Sequence, residues 1–188
     1  MSKFEEAAHF ALKKHAGMTR KSGSAPYILH PFEAAVIAST ISDDEDVLCA
    51  AVLHDVVEDT DCTIEQVREL FGDRVAFLVA SETEMKYSEL PRSESWQRRK
   101  EESLEELRGN NDVDVHIIWL ADKLSNMRSY ARLYKLQGLD MWKIFNQSDP
   151  SRQAWYYREI LGILSDLDGT SAWREFKALV DCVFGEVE

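Results

Sequence analysis

A chain of 188 residues, 45% hydrophobic and 30% charged, is long enough to bury a substantial core and has the composition of a folded globular protein. Its net charge of −12 argues against general binding to nucleic acid or anionic membrane, and no apolar run approaches the roughly 20 residues that cross a bilayer. Cys49, Cys62 and Cys182 are too few and too scattered for a disulfide framework or a CxxC metal site, and the N-terminus lacks the regions of a secretory signal, so a reducing cytoplasm is expected.

In chain order, residues 3–16 form an Ala-rich amphipathic helix stopped by Gly17. A loop from Met18 to Leu29 is broken by Gly23 and Pro26. Pro31 suits the first turn of a helix over about 31–41. Asp43-Asp44-Glu45-Asp46 gives the next helix an acidic start, favoured by its dipole, and that helix runs to about Val57. Thr63 and Gln66 have the capping-box spacing and open a helix closed by Phe71-Gly72; Asp73 starts another to about Ser81. The polar stretch 84–95 reads as a loop, 96–107 as a charged helix and 113–135 as a long central helix. Shorter helical patterns near 138–146, 151–166 and 170–184 complete the chain. Alternating strand patterns, repeats and linker-like tracts are absent, so the expectation is one all-α domain over 1–188, a helical bundle.

The most informative placement is that of two acids. Asp55 ends the apolar run Val47–His54, and Asp122 sits within Ile117–Leu124. Both helices look apolar nearly all round, which marks them as buried, and a carboxylate there is costly unless paired, hydrogen-bonded or bound to a metal. His54 adjoins Asp55, and His30, before Pro31, stands at a helix entrance biased to extended backbone. Two imidazoles and two carboxylates suit a divalent transition metal, and the pattern points to a metal-dependent phosphohydrolase. Glu58, four residues after His54, is placed to hold a water or take its proton, with Asp59 beside it. An acidic helix end facing solvent is the competing explanation.

Asp122, Asn126 and Ser129 share a face of the central helix, suited to a sugar and phosphates, with Lys123 and Arg128 flanking it. In Arg20-Lys21-Ser22-Gly23 an arginine can clamp phosphate or stack on a purine, and Tyr27 offers an aromatic wall or a hydroxyl. Arg98-Arg99-Lys100 reads as a solvated face. Cys49 reads as core, and His9, His15 and His116 are not needed as ligands. A Gly-rich phosphate loop and a GxSxG elbow are both missing.

These residues resemble a known family. His54-Asp55, with His30 upstream and Asp122 downstream, looks like the signature of HD phosphohydrolases. The ordered segments His15–Gly23, Pro26–Pro31, Leu53–Thr60, Phe71-Gly72 and Leu120–Arg128 resemble the hydrolase domain of RelA/SpoT-type proteins over residues 15–128, with the helices of 138–184 completing the fold. The resemblance implies a manganese-dependent enzyme that removes the 3′-pyrophosphate of guanosine alarmones such as ppGpp, giving GDP or GTP and pyrophosphate. It implies His30, His54, Asp55 and Asp122 as metal ligands and Glu58 and Asp59 as the water-activating pair. It further implies Arg20 on the base, with Lys21, Ser22, Tyr27, Asn126 and Ser129 lining the nucleotide site. At this length the chain resembles a free-standing small alarmone hydrolase, without the synthetase and regulatory domains of the long members, acting on a small molecule rather than on nucleic acid or membrane.

Met18, where the family usually has glutamine, and Ser129, where threonine is frequent, leave the base preference open. Tyr156 and Tyr157 are expected chiefly to pack in the core, with reach into the pocket as the alternative. Two other readings share the same residues: an HD-type enzyme acting on an adenosine alarmone or another nucleotide, and a non-catalytic nucleotide-binding module.

Overall fold

The computed structural model describes residues 1–21, 23–84, 91 and 94–185. Local sequence chemistry sets most helix ends. Helix α1 (Lys3–Lys14) opens on a Ser2/Glu5 capping box, and α5 (Ile64–Phe71) on the expected Thr63/Gln66 box. Asp44 caps α3 (Glu45–Leu53), Asp112 caps α8 (Val113–Gln137), Asp149 caps α9 (Pro150–Ile163) and Thr170 caps α10 (Ser171–Phe184). Gly72, at φ +91°, makes the sharp corner into α6 (Asp73–Ala80), a conformation that a side chain resists. Helix α7 spans Trp96–Gly109.

Helix α8 is the axis of the molecule, and every residue of 115–125 is buried. It packs against α2 (Leu29–Ala38), α3, α6 and α10. Helix α1 covers α3, and α9 rests on α10 and α7. Trp119, Leu120 and Met127 from α8 meet a core that includes Leu53, Leu78, Trp142 and Phe176. The described residues contain no strand, only an isolated bridge between Thr19 and Pro26, so the all-α expectation holds. None of the helices described is long and apolar enough to cross a membrane.

Three boundaries differ from expectation. Helix α2 begins at Leu29, so His30 lies inside its first turn rather than at an extended entrance. Proline is tolerated there because first-turn N–H groups have no intrahelical acceptor to lose. The helix expected to run to Val57 stops at Leu53, and a separate turn, α4 (Val56–Asp59), follows. His54 Nδ1 lies 2.8 Å from Ala51 O, the carbonyl that Asp55 N–H would take in an unbroken helix, and Asp55 adopts φ −90°, ψ −6°. Residues 138–144 form a 3-10 helix, and 164–167 another, rather than continuations of α-helix. Most of the loop expected over 84–95 lies outside the described residues.

Candidate functional site

The break after Leu53 brings two candidate ligands to one point. His54 Nε2 lies 3.1 Å from Asp55 Oδ2 and 3.3 Å from His30 Nε2. Asp122 Oδ1, from the middle of α8, lies 2.9 Å from His30 Nε2 and 3.5 Å from His54 Nε2, while His30 Nε2 is 3.5 Å from Asp55 Oδ2. Four residues from three separate segments thus converge, all of them buried.

Their outer hydrogen bonds show what this arrangement suits. A carbonyl oxygen only accepts, so His54 Nδ1 donates to Ala51 O and leaves Nε2 with a lone pair in the neutral ring. Ser125 Oγ donates to Glu33 Oε2 at 2.7 Å, so its contact with His30 Nδ1 at 2.8 Å is accepted from the ring. His30 Nε2 is therefore a lone pair as well. Two imine nitrogens and two carboxylate oxygens facing one another repel unless positive charge sits among them, which fits a divalent cation with nitrogen and oxygen ligands. Burial lowers the His30 pKa. At His54 burial acts the same way, but the negative charges of Asp55 and Asp122 overcome it and favour positive charge at this point.

The cluster opens onto a cavity of about 380 Å³, within the range of small-molecule sites. Arg20, Lys21, Tyr27, His30, Asp55, Glu58, Asp59, Asp122, Asn126 and Ser129 all line it, so nearly every expected residue is brought to one chamber. Fully buried His54 reaches the cluster from behind. Ser22, expected beside Lys21, lies outside the described residues. Burial, then the charges of Glu84 and Asp55, push the Glu58 carboxyl up to about 7, against a lowering pull from Lys100. A carboxylate with that pKa is matched to proton transfer at neutral pH.

Other parts of the wall depart from the sequence reading. Lys123, expected to flank the Asp122 face, turns inward and donates to Glu82 Oε1 at 2.7 Å and to Asp122 Oδ2. Arg99 and Lys100, read as a solvated face, line the cavity and pair with Glu84, with Lys100 Nζ 4.5 Å from the Tyr156 ring centre. Tyr156 and Tyr157, expected chiefly as core with reach into the pocket as the alternative, are buried and also line the chamber. Arg128 turns away, pairing with Glu175 at 2.7 Å and Glu33 at 3.2 Å. His116 is engaged with Asp166 at 2.8 Å, away from the cluster. His15 is buried against the Tyr27 ring, and its two nitrogens have no hydrogen-bond partner.

Glu82 and Glu84 gave no pattern of their own. Lys100 did leave a signal, because Trp96, Lys100, Leu104 and Leu107 share one helical stripe, and three of these are apolar. The same reasoning that singled out Asp122 within a buried run applies to its neighbour Lys123.

A family model described as an HD domain matches residues 7–147. A solved structure titled as a metazoan ortholog of SpoT that hydrolyses ppGpp is 30% identical, covers 95% of this chain and 94% of its own, and superposes with a TM-score of 0.71. A crystal structure of a Listeria monocytogenes protein is 31% identical over 84% of this chain and 99% of its own, with a TM-score of 0.72. A Synechocystis protein named as a probable guanosine-3′,5′-bis(diphosphate) 3′-pyrophosphohydrolase is 41% identical over 121 residues, 64% of this chain. The chain spans about a sixth of the length of the curated relatives it matches, several of which are named GTP pyrophosphokinase.

Proposed function

The chain belongs to the HD-domain family, and on that premise we propose that it hydrolyses the 3′-pyrophosphate of guanosine alarmones of the ppGpp type, yielding GDP or GTP and pyrophosphate. The observation that carries this reading is the convergence of His30, His54, Asp55 and Asp122 beside a chamber that Glu58 and Lys21 also line. The names of the metazoan and Synechocystis relatives supply the substrate class.

In this reading His30, His54, Asp55 and Asp122 hold a divalent cation, as imidazole and carboxylate donors suit, with manganese the proposed ion because the resemblance to RelA/SpoT-type hydrolases implies it. When bound, such a cation makes water more acidic and offsets charge on the phosphoryl oxygens. Glu58 takes the proton of the attacking water, with Asp59 beside it in the chamber wall. Water adds to the phosphorus nearest the ribose, the bond to the 3′ oxygen breaks, and that oxygen leaves as a hydroxyl on taking up a proton. Lys21 is proposed to meet the pyrophosphate, with Lys100 and Lys123 offsetting Glu84, Glu82 and Asp122 in the same wall, and Arg20, Asn126 and Ser129 are proposed to hold base and ribose. The GTP pyrophosphokinase names belong to proteins about four times as long and do not carry over. A cytoplasmic setting is part of the proposal, in keeping with the free thiols Cys49, Cys62 and Cys182.

The test is a substrate panel. Purified protein with manganese is offered guanosine and adenosine alarmones, cyclic nucleotides and monophosphates, with products resolved by chromatography. Turnover of ppGpp to GDP and pyrophosphate, well above turnover of the other classes, is the expected result. Preferred cleavage of 5′-monophosphates or cyclic nucleotides would replace it with another phosphohydrolase activity.

A further inference from the structure

Tyr27 stands in the loop that the proposed function gives to the nucleotide, yet its hydroxyl is engaged elsewhere. Tyr27 Oη donates to Asp55 Oδ2 at 2.6 Å. That oxygen is the one facing the histidine pair, 3.1 Å from His54 Nε2 and 3.5 Å from His30 Nε2. An ionised carboxylate only accepts, so the phenol supplies the proton.

The phenol is itself held. The buried His15 ring lies 5.1 Å from the Tyr27 ring, and the Arg20 guanidinium lies 5.5 Å from the same ring. Tyr27 N–H donates to Met18 O at 2.9 Å, closing the loop around the Thr19–Pro26 bridge. The other three ligands each have an outer partner already: Ser125 for His30, Ala51 O for His54, and Asn126, which donates to Asp122 Oδ1 at 2.8 Å. Tyr27 completes the set. Such partners orient ligands and fix their lone pairs, and their loss typically costs about 10–100-fold in metal affinity or activity.

We propose that Tyr27 is a positioning residue for Asp55, tying the Arg20–Tyr27 loop to the metal centre rather than serving mainly as a nucleotide contact. The inference rests on the reading of His30, His54, Asp55 and Asp122 as metal ligands. Arg20 strengthens the tie, because it also donates to Asn126 Oδ1 at 2.7 Å and so reaches the second carboxylate through one intermediary.

The experiment is calorimetric titration of manganese into chelator-stripped wild type and Tyr27→Phe, with circular dichroism to verify the fold and ppGpp kinetics at saturating manganese. Tyr27→Phe keeps the ring and removes one oxygen. A manganese Kd raised about 10-fold or more, with KM for ppGpp within about 2-fold of wild type, is the expected result. An unchanged Kd together with a raised KM overturns the inference and makes the hydroxyl a nucleotide contact. If the wild type itself takes up no manganese, the metal-centre reading fails and this inference fails with it.

Discussion

Lys123 and Glu82, 41 residues apart, meet in the chamber wall with Nζ 2.7 Å from Oε1, and the same ammonium also holds Asp122. Both side chains are buried, so one cation balances two acids that would otherwise face each other in a poorly solvated wall. Burial raises the Glu82 pKa well above the ordinary carboxylate range in spite of Lys123, while the Lys123 charge holds Asp122 below that range in spite of its burial.

Removing this cation should cost stability. Lys123→Met leaves Asp122 and Glu82 without their counter-charge, and breaking a buried pair from one side typically costs about 3–5 kcal/mol. Chemical denaturation in the presence of chelator should show a loss of that order, partly recovered in Lys123→Met/Glu82→Leu. A loss below about 1 kcal/mol would mean that the three groups are individually well solvated.

Glu58→Gln should bind manganese as the wild type does and lose about 10²–10⁴-fold in kcat, because an amide cannot accept the water's proton. Metal content and turnover measured on the same preparations separate this role from that of a ligand. Parallel loss of both would make Glu58 part of the metal shell.

The Glu58 carboxyl, raised to about 7, sets a pH dependence with a definite sign. The base form is present above that pKa, so kcat should fall as pH drops through about 7. The charged groups acting on it are Glu84, Asp55 and Asp59, which raise its pKa, and Lys100, which lowers it. Glu84→Gln should therefore move the acidic limb of the kcat profile down, and Lys100→Met should move it up. Shifts in the same direction for both variants would assign that limb to a different group.

The legible part of this molecule was the part written in local chemistry and burial. Helix positions followed from capping boxes, acidic starts and the Gly72 corner, and Asp55 and Asp122 stood out because a carboxylate in an apolar helix needs a reason. The break at His54-Asp55 was not legible, since it comes from a ring nitrogen taking up a backbone carbonyl, and nothing in the apolar pattern marks that. Lys123 and Lys100 were misread for one shared reason. Cations on a helix are usually solvated, and only tertiary packing brings Glu82 and Glu84 close enough to draw them inward. Tyr27 was found as a wall residue, but its hydrogen bond to Asp55 was not legible because it spans 28 residues.

Asp55→Asn should remain folded and lose most of its manganese affinity, since a neutral amide is a much weaker ligand than a carboxylate for such an ion. Circular dichroism with metal analysis after desalting checks both halves. Retention of a full equivalent of manganese would remove Asp55 from the ligand set.

The central claim is that water attacks the phosphorus next to the ribose 3′ oxygen. Hydrolysis of ppGpp in water enriched with heavy oxygen, followed by mass spectrometry of both products, tests it most directly. The account predicts a single heavy oxygen in intact pyrophosphate and none in the GDP 3′-hydroxyl, with turnover abolished by chelation. Heavy oxygen in the 3′-hydroxyl, or orthophosphate as the initial product, would contradict it.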